Sequence, residues 1–137
     1  MSEQNRFVLI VEDNATDVSV LQVLLKRMGV SYSVFFDGRT ILAMLREMPR
    51  PDAIFLDLEI PGMSGYEVLA VLQSVPDFRS VPVVAYTSHL SEMTAARDAG
   101  FHSFLGKPLN NAKFSELLER IFEGESVWEG RTFLSNE

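Results

Sequence analysis

The sequence contains no cysteine. This absence excludes a disulfide framework, a thiolate zinc site and a cysteine nucleophile. Long apolar stretches are also missing, because the longest runs, at residues 7–11 and 53–58, fall far short of the roughly 18 residues that span a membrane. We therefore expect a cytoplasmic protein with neither a signal peptide nor a membrane anchor, and with no membrane partner.

Positive charge is scarce. The chain carries 12 lysine and arginine residues against 19 aspartates and glutamates, which gives a formal net charge of −7. With no basic run in the sequence, such a surface would repel a polyphosphate backbone, so we expect no nucleic-acid partner. The 137 residues, 47% of them hydrophobic, suit one domain with a proper core.

Strand-like apolar runs alternate five times with helix-like periodicity, a pattern typical of βα units on a parallel sheet. The predicted strands are residues 7–11, 32–36, 53–58, 81–86 and 102–105. Gly29 and Gly100 predict the ends of the first and fourth helices, and Ser64 begins a capping box for the third. Residues 124–137 have no clear period. We expect one domain at residues 1–123 and a C-terminal tail at 124–137 without an output domain.

The first, third and fourth predicted strands are apolar on both faces, which is typical of interior strands covered by helices. The second strand alternates and the fifth is short, so both are placed at edges. A five-stranded parallel doubly wound sheet with strand order 2-1-3-4-5 satisfies these constraints with right-handed crossovers. Its ligand crevice lies at the carboxyl ends of the first and third strands, where the winding reverses.

Polar residues follow the strands that border this crevice. Glu12 and Asp13 come after the first strand, Asp57 ends the third, Thr87 follows the fourth and Lys107 follows the fifth. Taken singly, most of these residues could be helix caps or ordinary loop residues. Asp57 is different, because an unpaired carboxylate in an apolar strand is costly to desolvate.

Three carboxylates without histidine or cysteine suit a hard cation that prefers oxygen ligands. An incomplete set of protein ligands, with room for waters and a phosphate, favours Mg²⁺ over Ca²⁺. Lys107 and Thr87 then supply a positive charge and a hydroxyl donor. Together these residues predict a pocket for phosphoryl transfer to a carboxylate nucleophile.

Four motifs carry a resemblance to a known family. They are Val11-Glu-Asp-Asn14, Leu56-Asp-Leu-Glu-Ile-Pro-Gly62, Tyr86-Thr-Ser88 and Phe104-Leu-Gly-Lys-Pro108. As an ordered set on a fivefold βα pattern, spanning about residues 7–122, they resemble the receiver domains of response regulators in two-component signalling, typified by the bacterial chemotaxis response regulator. The resemblance implies the flavodoxin-like receiver fold.

The resemblance also implies the roles of the acidic residues. Asp57 would be the phosphoacceptor and Asp13 a direct Mg²⁺ ligand. Glu12 would act largely through metal-bound water, and the backbone carbonyl of Glu59 would complete the protein ligands. The chain would then catalyse only its own phosphorylation and dephosphorylation, and would not be an enzyme in the usual sense.

Other roles follow from the same resemblance. Thr87 would bind the phosphoryl group, Lys107 would pair with Asp57 or its phosphate, and Pro108 would follow a cis peptide bond. Phe104 stands where the family often has a tyrosine that turns inward when the threonine moves. A phenyl ring can make this rotation, but it has no hydroxyl to report its position.

The rim and the partners are expectations of the same kind. Glu59 and His89, each two positions beyond a pocket residue, are expected to set how long the phosphoryl group lasts. A sensor histidine kinase or a phosphotransfer protein would supply the phosphoryl group. A downstream protein would bind the face formed by the fourth helix, fifth strand and fifth helix. Four residues mark this face: Met93, His102, Phe104 and Lys113.

Three alternatives remain open at this point. A Toprim-like metal-dependent nucleic-acid enzyme would use Glu12, Asp57 and Glu59 as its metal triad, but would leave Lys107 and Thr87 without a role. A flavodoxin-like cofactor carrier needs phosphate donors after the first strand, where Glu12 and Asp13 would repel a phosphate. A pseudo-receiver that only binds partners would be expected to have lost part of its pocket.

Overall fold

The computed structural model describes residues 5–130, which form one parallel sheet with helices on both faces. The strands are β1 (Phe7–Val11), β2 (Ser31–Phe35), β3 (Ala53–Leu56), β4 (Val83–Thr87), β5 (Ser103–Gly106) and β6 (Trp128–Glu129). The helices are α1 (Ala15–Met28), α2 (Gly38–Met44), α3 (Gly65–Ser74), α4 (Met93–Ala99) and α5 (Phe114–Phe122). Short 3₁₀ turns at Leu45–Glu47 and Leu90–Glu92 follow α2 and precede α4.

The sheet has the order β2-β1-β3-β4-β5-β6, and every neighbouring pair is parallel. The predicted doubly wound architecture is therefore confirmed, with β2 at one edge. The winding reverses between β1 and β3, so the carboxyl ends of these two strands border the crevice that the sequence predicted.

The prediction of five strands with β5 at the edge is wrong, because β6 pairs with the outer side of β5. This strand has only two residues, so it is too short to show an alternating pattern. It forms through contacts distant in sequence: the N–H of Phe104 donates to the carbonyl of Val127 at 2.8 Å. Of the predicted C-terminal tail, residues 131–137 lie outside the described residues.

Two hydrophobic layers cover the sheet because successive strand residues point to opposite faces. Leu9 and Val11 belong to one layer and Val8 and Ile10 to the other, and all four are fully buried. Three buried leucines of α1 belong to the second layer, whereas the buried apolar residues of α3 belong to the first. Covered on both faces, β1 and β3 are rigid supports for the side chains that follow them.

The local signals in the sequence act where they were predicted. Gly29 ends α1 in the left-handed conformation at a φ of 74°, where a side chain would be strained. Ser64 begins α3 with a capping box, in which its hydroxyl accepts from the N–H of Glu67 and the carboxylate of Glu67 accepts from the N–H of Ser64. Among the described residues, no helix is long and apolar enough to cross a membrane.

Candidate functional site

The backbone ladder continues past the ends of β1 and β3 and fixes the first residues of the loops. The N–H of Glu12 donates to the carbonyl of Phe35, and the N–H of Asp57 donates to the carbonyl of Val11, both at 3.0 Å. The acidic residues therefore leave the sheet from rigid backbone. Asn14 then begins α1, with its side chain accepting from the N–H of Asp17 at 2.9 Å.

Three carboxylates meet at this edge of the sheet. Glu12, Asp13 and Asp57 each offer an oxygen, and these oxygens all lie within 4.8 Å of one another. Glu12 and Asp57 are buried, whereas Asp13 is exposed to solvent. The ligands are all oxygen atoms, and one side of the group is open, so the residues fit a hard cation that retains waters. Mg²⁺ is the ion that this donor set suits best.

Burial dominates the electrostatics of Glu12, whose side chain has no exposed surface. Burial raises its pKa to about 7, although hydrogen bonds from Lys107 and from the backbone N–H of Asn14 act in the opposite direction. The nearby carboxylate of Asp57 raises the pKa of Glu12 further. A proton or a cation is therefore favoured at this position.

The pKa of Asp57 is also raised. Burial raises the pKa of its carboxyl group, and Asp13 raises it further, while the N–H of Glu59 and the charge of Lys107 lower it. The N–H of Glu59 donates to Oδ1 of Asp57 at 3.2 Å, which fixes the orientation of the carboxylate. A cation bound here would relieve the repulsion and keep Asp57 ionised.

Lys107 bridges the acidic residues. Its Nζ lies 2.8 Å from Oε1 of Glu12, 2.7 Å from Oδ2 of Asp17 and 3.7 Å from Oδ2 of Asp57. Burial lowers the pKa of Lys107, but the hydrogen bonds to Asp17 and Glu12 outweigh this effect and the pKa is raised. Lys107 is therefore held as a fixed positive charge between the two buried carboxylates.

Asp17 also belongs to the site, although it was not predicted from the sequence. It lies in the first turn of α1, where an acidic residue is commonly explained by the helix dipole alone. Its carboxylate binds Lys107, and its carbonyl accepts from the hydroxyl of Tyr86 at 3.2 Å. The Nζ of Lys107 also lies 4.7 Å from the centre of the Tyr86 ring. No local pattern in the sequence pairs Asp17 with Lys107, which lies 90 residues further along the chain.

Glycine lets α3 approach the nucleophile candidate closely. A Cβ added at Gly65 would lie 2.7 Å from the carbonyl oxygen of Asp57 and 2.8 Å from the Cα of Leu58. The N–H of Gly65 donates to the carbonyl of Leu58 at 2.9 Å, and Glu59 bridges back to Ser64. The loop that carries the backbone carbonyl of Glu59 is thus held against Asp57 by α3.

The two predicted rim residues meet in the structure. Nδ1 of His89 lies 3.2 Å from Oε2 of Glu59, and both side chains are more than half exposed. The pair joins the loop after β3 to the loop after β4. Its exposed side chains therefore connect, at the surface, the two loops that follow the strands preceding Asp57 and carrying Thr87.

Thr87 and Phe104 occupy buried positions on the next two strands. Oγ1 of Thr87 accepts from the N–H of His89 at 3.1 Å, so the hydroxyl holds the loop after β4. The Lys107–Pro108 peptide bond is cis. Phe104 is fully buried in the first hydrophobic layer, so it is not part of the surface that was expected around it. Of the other residues on that face, Met93, His102 and Lys113 are half-buried.

Comparisons with known proteins agree with this geometry. A family model described as the response regulator receiver domain matches residues 8–121. The response regulator Rcp1 of Synechocystis is 30% identical over 93% of this chain and 91% of its own length. The sensor histidine kinase CheAY of Helicobacter pylori is 27% identical over 90% of this chain, which spans 16% of the length of that protein.

Solved structures give the same result. The receiver domain of the sensor histidine kinase PA1611 from Pseudomonas aeruginosa, a structure with a magnesium ion coordinated in its active site cleft, is 27% identical to this chain. The match covers 88% of this chain and 99% of that domain, with a TM-score of 0.76.

The buried carboxylates predict an unusual dependence of stability on pH in the absence of metal. The pKa of Glu12 rises from 4.5 to about 7 on folding, so the folded state binds the proton more tightly than the unfolded state. The free energy of unfolding should therefore fall as the pH rises from about 4.5 to about 7, by up to roughly 1 kcal/mol per pH unit. Denaturant unfolding with a metal chelator present measures this slope.

Glu12→Gln should reduce the slope and stabilise the protein at pH 7. The exposed Glu116 of α5 provides the control, since Glu116→Gln should leave the slope unchanged. Stability that rises through this range in the wild-type protein would contradict the electrostatic description of the site.

Proposed function

We propose, given that the chain belongs to the response regulator receiver domain family, that it is a signalling switch which accepts a phosphoryl group on Asp57 in the presence of Mg²⁺. One observation carries this proposal: a single lysine contacts both buried carboxylates, so cationic charge and carboxylate nucleophile lie side by side. Receiver domains interact with histidine kinases or phosphotransfer proteins. We propose such a protein as the donor here.

The proposed reaction transfers one phosphoryl group. An oxygen of the Asp57 carboxylate forms a bond to phosphorus while the bond from phosphorus to the donor's leaving group breaks, and the leaving group departs with the electron pair. Mg²⁺ would neutralise charge on the phosphoryl oxygens. Asp13, Asp57 and the backbone carbonyl of Glu59 would hold the ion, with Glu12 acting through water.

The remaining residues stabilise and release the product. Lys107 would place its charge beside the phosphoryl oxygens, and the hydroxyl of Thr87 would donate a hydrogen bond to one of them. The N–H of Glu59 already orients the Asp57 carboxylate. Hydrolysis would later return Asp57 to its free form when water reaches the phosphorus. These steps make the chain a catalyst of its own modification only.

The two alternative functions do not account for the residues that form the crevice. In the Toprim-like alternative Lys107 and Thr87 have no role, although Lys107 makes three ionic contacts. In the flavodoxin-like alternative the loop after β1 would have to bind phosphate, but its first two residues are Glu12 and Asp13. Neither alternative is supported by a specific contact among the described residues.

Phosphate incorporation tests the assignment of Asp57. Incubation with acetyl phosphate and Mg²⁺ should add one acid-stable, base-labile phosphoryl group, and a metal chelator should prevent it. Asp57→Asn should abolish incorporation because an amide replaces the nucleophilic carboxylate. Intact-mass measurement provides the readout.

A matched variant controls for loss of an aspartate in general. Asp77 is exposed and precedes β4, at the end of that strand opposite to Thr87, so Asp77→Asn should incorporate phosphate like the wild type. Undiminished incorporation in Asp57→Asn would disprove the assignment of the nucleophile.

The lifetime of the phosphorylated form tests the role of the rim pair. The contact between His89 and Glu59 connects, at the surface, the loops that follow Asp57 and Thr87, so its removal should admit the hydrolytic water more readily. Both side chains are exposed, and an exposed pair is worth at most about 1 kcal/mol, so His89→Ala should shorten the half-life by no more than roughly fivefold. The measurement is loss of phosphate after the donor is removed.

The other histidine of the chain supplies the control. His102 contacts Ser103 and the carbonyl of Gly124, away from the crevice, so His102→Ala should decay at the wild-type rate. Identical decay curves for wild type and His89→Ala would show that the rim pair does not limit access of water.

A further inference from the structure

The short strand β6 covers the outer edge of β5. In the register of the sheet Phe104 lies beside Trp128 and Leu105 beside Glu129. The segment at residues 127–130, here called the strap, therefore pairs with backbone that would otherwise form the free edge of the sheet. This edge belongs to the face on which a downstream partner was expected.

Polar contacts secure the start of the strap. The N–H of Val127 donates to the buried hydroxyl oxygen of Ser103 at 2.9 Å. Nδ1 of His102 lies 2.9 Å from the same hydroxyl, and Nε2 of His102 lies 3.2 Å from the carbonyl oxygen of Gly124. Among the described residues no buried side-chain polar atom lacks a hydrogen-bond partner. Release of the strap would therefore break hydrogen bonds that are now formed, which costs free energy.

Trp128 packs the strap against the hydrophobic core. The guanidinium of Arg97 in α4 lies 4.5 Å from the centre of its ring. The indole also packs against the hydrophobic layer that contains Phe104. Because Phe104 and Trp128 are register partners, their side chains leave the sheet on the same face. Phe104 has no exposed surface, and Trp128 lies on its outer side, so an outward turn of Phe104 requires the strap to move.

The far end of the strap touches the loop after β4. A Cβ added at Gly106 would lie 2.7 Å from the carbonyl oxygen of Gly130 and 2.5 Å from Cδ2 of Leu90. A Cβ added at Gly130 would lie 2.9 Å from Cε of Met93. Close packing therefore joins the end of β5, the strap and the start of α4. A shift of Leu90 would displace the strap.

Thr87 connects this packing to the crevice. Its Oγ1 accepts from the N–H of His89, the residue directly before Leu90. A rotation of the side chain that carried Oγ1 towards a phosphoryl group on Asp57 would break this contact. The loop is then free to shift Leu90 against Gly106 and Gly130.

We propose that the strap is an intramolecular occupant of the partner-binding face and that phosphorylation of Asp57 releases it, which rests on the function proposed above. The exposed surface then consists of the edge of β5 and the Arg97 side of α4. It accepts an extended segment of a partner protein in which an aromatic residue follows an aliphatic one, because Val127 and Trp128 provide this chemistry on opposite faces of the sheet in the unphosphorylated chain.

The test uses the full chain, in which Trp128 is the only tryptophan. Its fluorescence, and its quenching by acrylamide, are measured with Mg²⁺ before and after addition of acetyl phosphate, while intact mass follows phosphate incorporation. Phosphorylation should shift the emission to longer wavelength and increase quenching. Exchange of the Phe104 amide, which donates to the Val127 carbonyl, should accelerate by about tenfold or more, while the Ile10 amide in β1 keeps its protection.

Three variants separate the steps. Thr87→Ala should incorporate phosphate more slowly and leave Trp128 shielded. Arg97→Gln, at an exposed position where folding is not at risk, should increase quenching of Trp128 without phosphate. Arg27→Gln, an equal change of charge on the exposed side of α1, should not.

The outcomes distinguish this inference from the function on which it rests. Failure to incorporate phosphate on Asp57 would overturn the proposed function. Complete incorporation with Trp128 quenching and Phe104 exchange unchanged would overturn the strap alone. A rise in quenching that is equal in wild type and phosphorylated Thr87→Ala would also overturn the proposed link through Thr87.

Discussion

The site depends on the position of one positive charge among four acidic side chains. Lys107 lies within 4 Å of Glu12, Asp17 and Asp57, and without it the buried carboxylates would face only one another. The partly exposed Asp17 and the ring of the buried Tyr86 also contact the lysine. The doubly wound sheet makes this possible, because it brings the ends of β1, β3 and β5 to one edge.

The same strand order connects the crevice to the surface. β4 delivers Thr87 to the crevice, and β5, its neighbour, carries Phe104 on one side and ends at Gly106. β6 lies outside β5, and its segment packs closely against Leu90 in the loop after β4. Packed contacts between neighbouring strands therefore connect the crevice to the surface that we propose for the partner.

Much of this architecture was predictable from the sequence. Continuous apolar runs identified the interior strands, and the capping box at Ser64 and the glycine after α1 set helix ends through local chemistry. The grouping of Glu12, Asp13 and Asp57 followed from strand order. Asp17 was missed because its role depends on the direction of a distant lysine. β6 was missed because two residues carry no period, and their pairing is decided by β5 rather than by local propensity.

The most direct test of a phosphoacceptor carboxylate is to capture the acyl phosphate chemically at its residue. Borohydride reduces an aspartyl phosphate to homoserine, and peptide mass spectrometry then locates the altered residue. The account predicts homoserine at position 57, formed only when both Mg²⁺ and the phosphodonor have been present. Homoserine at another aspartate, or incorporated phosphate with no homoserine at position 57, would contradict it.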